Sequence, residues 1–187
     1  IESWGLTVVV GRHAFASCGI FAGTDRQRLA DLQDALDDMS VRAVFFSRGG
    51  YGLSRIISSI DFSGFLANPK WLAGFSDVTV LHQWVGNIYG IASVHGEMPV
   101  NFANPLISER SVESLRQILF GEEPGYKWEG GVMNAASATG LITGGNLSLL
   151  YSLAGTIARP YTRGRILFIE DNFPRFTIIT FSRNSTL

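Results

Sequence analysis

The chain has 187 residues, 46% of them hydrophobic and 17% charged, with a net charge of -1 at neutral pH. That balance argues against nucleic-acid and membrane-surface partners, which call for a strongly basic face, and no apolar run approaches the ~20 residues that span a bilayer. The single cysteine, Cys18, excludes an intramolecular disulfide and a cysteine-built zinc site, and neither a metal nor a cofactor is expected.

Residues 6–10 form a short β-branched run that reads as a buried strand. Thr24 and Gln27 are spaced as a capping box. The helix that follows places Leu29, Leu32, Leu36 and Met39 on one face and Asp31, Asp34 and Asp38 largely outside. Residues 41–46 read as the next buried strand, ending in Arg48-Gly49-Gly50-Tyr51-Gly52. A short helix near residues 53–60 precedes a strand at 71–75, which runs into the turn Gly74-Phe75-Ser76-Asp77. In the helix after it, Val78, Leu81, Val85 and Ile88 make a core stripe. Strands alternating with helices at this spacing predict an α/β fold, a parallel sheet with helices on both faces.

A second unit follows a looser stretch. Residues 111–120 read as a helix with Val112, Leu115 and Leu119 inward. The glycine-rich segment after it reads as a linker. Then come Gly140-Leu141-Ile142-Thr143, the turn Gly144-Gly145-Asn146, an apolar helix over 147–154 and a strand over 165–169. The expected division is a nucleophile domain at 1–120, a linker at 121–138 and part of a smaller C-terminal domain at 139–187.

Ligands of such sheets bind beyond the carboxyl ends of the strands, where two glycine-marked turns lie. A serine at a strand-to-helix turn is lifted clear of the backbone, and the N–H groups of the helix start can hold an oxyanion. Ser76 is therefore a candidate nucleophile, although a serine there also serves as an ordinary helix cap. Glycine at the 48–52 turn lets a backbone N–H approach a substrate oxygen, so the Gly50 and Asp77 N–H groups make a candidate oxyanion hole. The same glycines also suit a plain tight turn. The dinucleotide and nucleotide-phosphate glycine patterns are absent.

A serine nucleophile needs a base, and the histidines are His13, His82 and His95. His82 reads as a helix-surface residue and His13 as a loop residue. His95 follows a short strand and faces the same sheet edge. Glu170, closing the last apolar strand, could hold an imidazole in the right tautomer, though polar residues also simply reappear at strand ends.

Five blocks in one order carry a family resemblance. They are Arg48-Gly49-Gly50-Tyr51-Gly52, Gly74-Phe75-Ser76-Asp77-Val78-Thr79, Val94-His95-Gly96, Gly144-Gly145-Asn146-Leu147-Ser148-Leu149 and Ile166-Leu167-Phe168-Ile169-Glu170-Asp171. Together they resemble the L,D-carboxypeptidases, serine peptidases that also include the microcin-immunity peptidases. The resemblance implies an N-terminal parallel α/β domain and a smaller swivelling β/α C-terminal domain. It implies removal of the terminal D-alanine from a murein tetrapeptide during peptidoglycan recycling in the cytoplasm, with no cofactor; homodimer formation stays open. It casts Ser76 as nucleophile, Glu170 as triad carboxylate, and Gly50 and Asp77 as oxyanion donors, with Arg48, His95 and Asn146 as substrate-binding candidates. The family's triad histidine lies well beyond the Glu-Asp pair, and residues 172–187 depart from the family pattern. The family's first strand and helix are expected to lie before Ile1, outside this sequence. The expectation is a fragment with an altered tail, inactive by itself. Alternatives are a microcin-immunity-type peptidase or a binding remnant without a base. Three geometric expectations follow: Ser76, Gly50 and Asp77 converge at one sheet edge, Glu170 faces Ser76 across a gap sized for an imidazole, and His95 is not the base.

Overall fold

The computed structural model describes residues 1–104, 109–125 and 138–171; most of the expected linker and the whole 172–187 tail lie outside them. Strands β1 (Ala43–Phe45), β2 (Trp71–Gly74) and β3 (Val94–His95) form a parallel sheet in the order β1-β2-β3. Strands β4 (Ile142–Asn146) and β5 (Ile166–Glu170) form a separate parallel pair. The helices are α1 (Asp25–Asp37), α2 (Leu53–Ile56), α3 (Ser63–Ala67), α4 (Thr79–Ile88), α5 (Glu109–Leu119) and α6 (Leu147–Leu153). Parallel neighbours need crossovers, and these helices supply them.

Strand alternation explains why both faces are covered. Val44 and Leu72 point into the larger core with Leu36 of α1, Leu53 of α2, Phe65 of α3 and Val85 of α4. Phe45, Trp71 and Ala73 point the other way, onto Leu115 of α5 and Val94. The expected sheet with helices on both faces is therefore what forms.

Four local expectations need correction. No strand forms at residues 6–10, and Val9 is 81% exposed. A β-branched run favours extended backbone, but a buried strand also needs a ladder partner, and among the described residues β1 pairs only with β2. Helix α1 stops at Asp37, so Met39 lies past its end and is 74% exposed instead of inward. Ile88, at the last position of α4, has turned out of the core stripe. Gly144, Gly145 and Asn146 are not a turn but the carboxyl half of β4, in register with Phe168, Ile169 and Glu170.

The capping box forms as expected, with Thr24 Oγ1 accepting from Gln27 N at 3.3 Å and the Gln27 side chain accepting from Thr24 N at 2.9 Å. At the other end of α1 stands Lys70. Its buried ammonium donates to the carbonyls of Ala35 and Asp38 at 3.0 and 2.6 Å, a cation on the negative end of the helix dipole. Burial lowers its pKa, while Asp38 and Asp37 oppose that shift. Lys70→Met keeps the stem and removes the donors. It is expected to cost about 1–3 kcal/mol, since buried carbonyls lose a charged partner, measurable as a lower urea midpoint at unchanged slope.

Among the described residues no helix is long and apolar enough to cross a membrane, and no cluster of histidine, cysteine and carboxylate side chains is arranged to hold a metal ion.

Candidate active site

β2 delivers the chain to Gly74, where a Cβ would stand 2.8 Å from Val78 Cγ2, so only glycine lets the next turn fold back this tightly. Phe75 is extended, and Ser76 then takes φ 61°, the only positive φ at a non-glycine residue among those described. A short 3₁₀ turn, Ser76–Val78, leads straight into α4. Left-handed backbone costs an L-residue about 1–2 kcal/mol, and such strain persists only where the surroundings over-determine it. Here Asp77 and Val78, directly after the serine, are both buried.

The second glycine turn comes to meet it. A Cβ on Gly49 would lie 3.2 Å from Ser76 Oγ, so the 48–52 turn runs beside the serine. Gly50 and Gly52 carry φ 146° and 134°. The link between the two turns is the Asp77 side chain, whose partner lies 24 residues away in sequence and so leaves no local signal. Asp77 is buried, and its Oδ2 accepts from Leu53 N at 2.9 Å. Burial raises its pKa, opposed by the N–H groups of Leu53 and Gly52 and by Arg28. Arg48 is exposed, with its Nε donating to the neighbouring Gly49 carbonyl at 3.3 Å.

Glu170, at the carboxyl end of β5, lies beside the serine turn and not in bulk solvent. The Ser76 N–H and the Asn146 side-chain amide face its carboxylate and favour the charged form, while burial and Asp171 raise its pKa. The carboxylate thus stands on the side of the Ser76 backbone N–H, at the carboxyl end of its strand. Asn146 is also occupied locally: its Oδ1 accepts from Leu149 N at 3.3 Å and caps α6.

His95 sits against the same carboxylate, with Nε2 3.8 Å from Glu170 Oε1 and its ring packed edge-on to Phe168. Its Nδ1 has no hydrogen-bond partner, and no hydrogen bond joins His95 to Ser76 Oγ among the described residues. Burial lowers its pKa to about 4, so at neutral pH the His95–Glu170 contact is not an ion pair. His82 corrects the sequence reading outright. It is 8% exposed, with Nε2 2.8 Å from Gly74 O and Nδ1 2.8 Å from Ser93 Oγ. Helix α4 is wedged between the three-stranded sheet and β4, so its inward face is far wider than one stripe. The expected solvent-facing side of His82 is buried. His13 holds Asp31 at 2.7 Å, away from this site.

His82 is likewise held near pKa 4, by burial first, with the Gly74 carbonyl opposing and His95 adding to the depression. Unfolded histidine protonates near 6.5. Both groups therefore contribute stability that is complete above about pH 6.5 and is lost as pH falls toward 4, with a slope of up to ~1.4 kcal/mol per pH unit for each. The raised carboxyl of Glu170 works in the opposite direction. The imidazole Cε1–H resonances of both histidines are expected to stay fixed from pH 8 to about 5 while the thermal midpoint falls. A mid-point near 6.5 for either ring would show that it is solvated.

Two cavities flank the sheet. One of about 550 Å³ is lined by Arg42, Lys70, Trp71 and Leu119, at the amino ends of β1 and β2, the wrong end for ligands of a parallel sheet. The other, about 470 Å³, reaches from His95 and Phe168 to Asn87 and Arg165. Neither is lined by Ser76.

Residues 1–96 match the model of the LD-carboxypeptidase N-terminal domain, and residues 139–180 match that of the LD-carboxypeptidase C-terminal domain. The second match runs past Asn172, where the sequence reading placed the departure from the family. The chain is 37% identical over 175 residues to a probable murein peptide carboxypeptidase of Bacillus subtilis, covering 91% of this chain and 55% of that protein. It is 33% identical over 183 residues to the murein tetrapeptide carboxypeptidase of Pseudomonas aeruginosa, covering 91% of this chain and 59% of that one. Among solved structures, the muramoyltetrapeptide carboxypeptidase of Oxalobacter formigenes superposes with a TM-score of 0.76 at 28% identity, over 91% of this chain and 57% of that chain. The microcin C7 self-immunity protein MccF superposes at 0.73 with 21% identity, over 86% and 57%, a likeness of fold alone. The chain thus spans little more than half the length of these relatives.

Proposed function

The chain belongs to the LD-carboxypeptidase family of peptidases, and on that premise we propose that it carries the nucleophile of a serine-type hydrolase that releases the terminal D-alanine of a murein tetrapeptide. The observation that carries this reading is the left-handed Ser76 in contact with the Gly49 turn. In the proposed reaction Ser76 Oγ attacks the scissile carbonyl as a histidine removes its proton. The Gly50 and Asp77 N–H groups receive the developing oxyanion. The histidine returns the proton to the departing D-alanine amine, and water then cleaves the acyl-enzyme. Glu170 orients that histidine. Arg48, exposed beside the turn, is the group that meets a substrate carboxylate.

The base is not among the chain's own histidines in this reading. His82 is committed to Gly74 and Ser93, His13 to Asp31, and His95 is half-buried and neutral without a bond to Ser76. We therefore propose that the 187-residue polypeptide alone is inactive and that a protein extended to the length of its relatives supplies the histidine. The units remain those of the sequence reading: a nucleophile domain at 1–120, a linker at 121–138 and the start of a second domain at 139–187. Peptidoglycan recycling in the cytoplasm is the setting this substrate suits. The murein reading is preferred to a microcin-immunity role because the relatives with murein names stand at 28–37% identity and the microcin C7 immunity structure at 21%.

The test is chromatographic assay of D-alanine released from murein tetrapeptide by the 187-residue chain and by the extended protein. Release by the second alone is the expected result. No release by the extended protein would end the substrate assignment. Ser76-dependent release by the short chain would make one of its three histidines the base, with His95 the first to examine.

A further inference from the structure

Helix α4 begins on the serine turn and carries polar side chains that a helix buried between two sheets would not otherwise hold. Thr79, Gln83 and Asn87 recur every four residues, on one face. Each reaches the second unit. Thr79 Oγ1 accepts from Asn146 N at 3.0 Å, Gln83 Nε2 donates to Gly144 O at 2.7 Å, and Asn87 Nδ2 donates to Arg159 O at 3.0 Å. Thr79 is fully buried. Opposite it is Gly145, where a Cβ would stand 2.6 Å from Thr79 Oγ1 and 2.7 Å from its Cγ2. The close approach of α4 to β4 thus depends on a missing side chain on one partner and a hydroxyl on the other.

Thr79 has a place that Gln83 and Asn87 lack. It lies one helical turn after Ser76, and the residue it binds, Asn146, is the register partner of Glu170. One hydrogen bond therefore separates the element that carries the serine from the strand pair that carries the carboxylate. We propose that Thr79 is a positioning residue, which through the Asn146 N–H sets the placement of Glu170 against the Ser76 turn. This rests on the serine-hydrolase reading above. If the stripe only holds the two units together, its three members are interchangeable in effect. If Thr79 positions the site, its loss is felt in turnover, and that of the more distant Gln83 only in stability.

The test uses the protein extended to the length of its relatives, with Thr79→Val (same shape, no acceptor), Thr79→Ser (hydroxyl kept), Gln83→Leu and Ser76→Ala. Readouts are kcat and KM for D-alanine release from murein tetrapeptide, the rate at which a fluorophosphonate labels the serine, and the thermal midpoint. Thr79→Val is expected to lower kcat ~10–100-fold with KM within about twofold, the scale of a misplacement of about 1 Å. Thr79→Ser should keep kcat within about threefold, and Gln83→Leu should lower the midpoint at unchanged kcat. Equal losses of kcat in Thr79→Val and Gln83→Leu, or no loss in Thr79→Val, would overturn the inference. If Thr79→Val does not fold, Thr79→Ala replaces it in the comparison with serine. If the wild type is labelled at Ser76 but releases no D-alanine, the substrate assignment alone falls and the labelling rates decide the role of Thr79. If it does neither, both readings fall.

Discussion

Ser76→Ala in a protein of full family length is expected to reduce kcat/KM for D-alanine release by at least ~10³-fold, and up to the ~10⁶-fold seen when a serine nucleophile is removed from a working triad. The residual rate would come from oxyanion donors and binding alone. The backbone adds a second, opposite expectation. Ser76 stands at φ 61°, which glycine adopts without penalty. Ser76→Gly should therefore abolish release as fully as alanine does while raising stability by about 1 kcal/mol. A residue kept in a strained conformation for packing would lose stability on that change; one kept for its hydroxyl gains it. Thermal melts of wild type, Ser76→Ala and Ser76→Gly, set beside their turnover, separate the two. A stable, fully active Ser76→Ala variant would remove the serine from the mechanism.

Gly144→Ala is expected to be among the most damaging single changes, costing about 3–5 kcal/mol, the range reserved for named steric and backbone failures. Gly144 is a strand residue at φ 144°, and a Cβ there would run into the Phe168 carbonyl, with the carbonyl carbon 2.7 Å away and its nitrogen 2.9 Å. None of those atoms is the end of a flexible side chain. β4 and β5 would have to separate, and with them would go the Gln83 bond to the Gly144 carbonyl and the placement of Glu170. The expected observation is loss of cooperative unfolding in the second unit, or insoluble protein. A variant with wild-type stability would show that the strand pair is not held as closely as this register requires.

Much of the architecture was written locally. Thr24 and Gln27 mark the start of α1 because a capping box needs only residues three apart. The alternation of apolar strands with amphipathic helices dictates the parallel sheet, and the glycine turns at 48–52 and 74–77 mark the carboxyl ends of its strands. The ordered blocks around Arg48, Ser76, His95, Asn146 and Glu170 suffice for the family. What local pattern could not carry is distance between segments far apart in sequence. Residues 6–10 have strand propensity yet no partner edge, so they stay unpaired and exposed. Gly144-Gly145-Asn146 has the composition of a turn, but the space between Phe168 and Thr79 admits only a strand of glycines. His82 looks like a surface residue until β4 closes over α4, and then burial holds it neutral between Gly74 and Ser93. The carboxylate of Glu170 was legible as chemistry; that it stands by the Ser76 backbone and 3.8 Å from His95 Nε2 was decided only by the packing of two sheets against one helix.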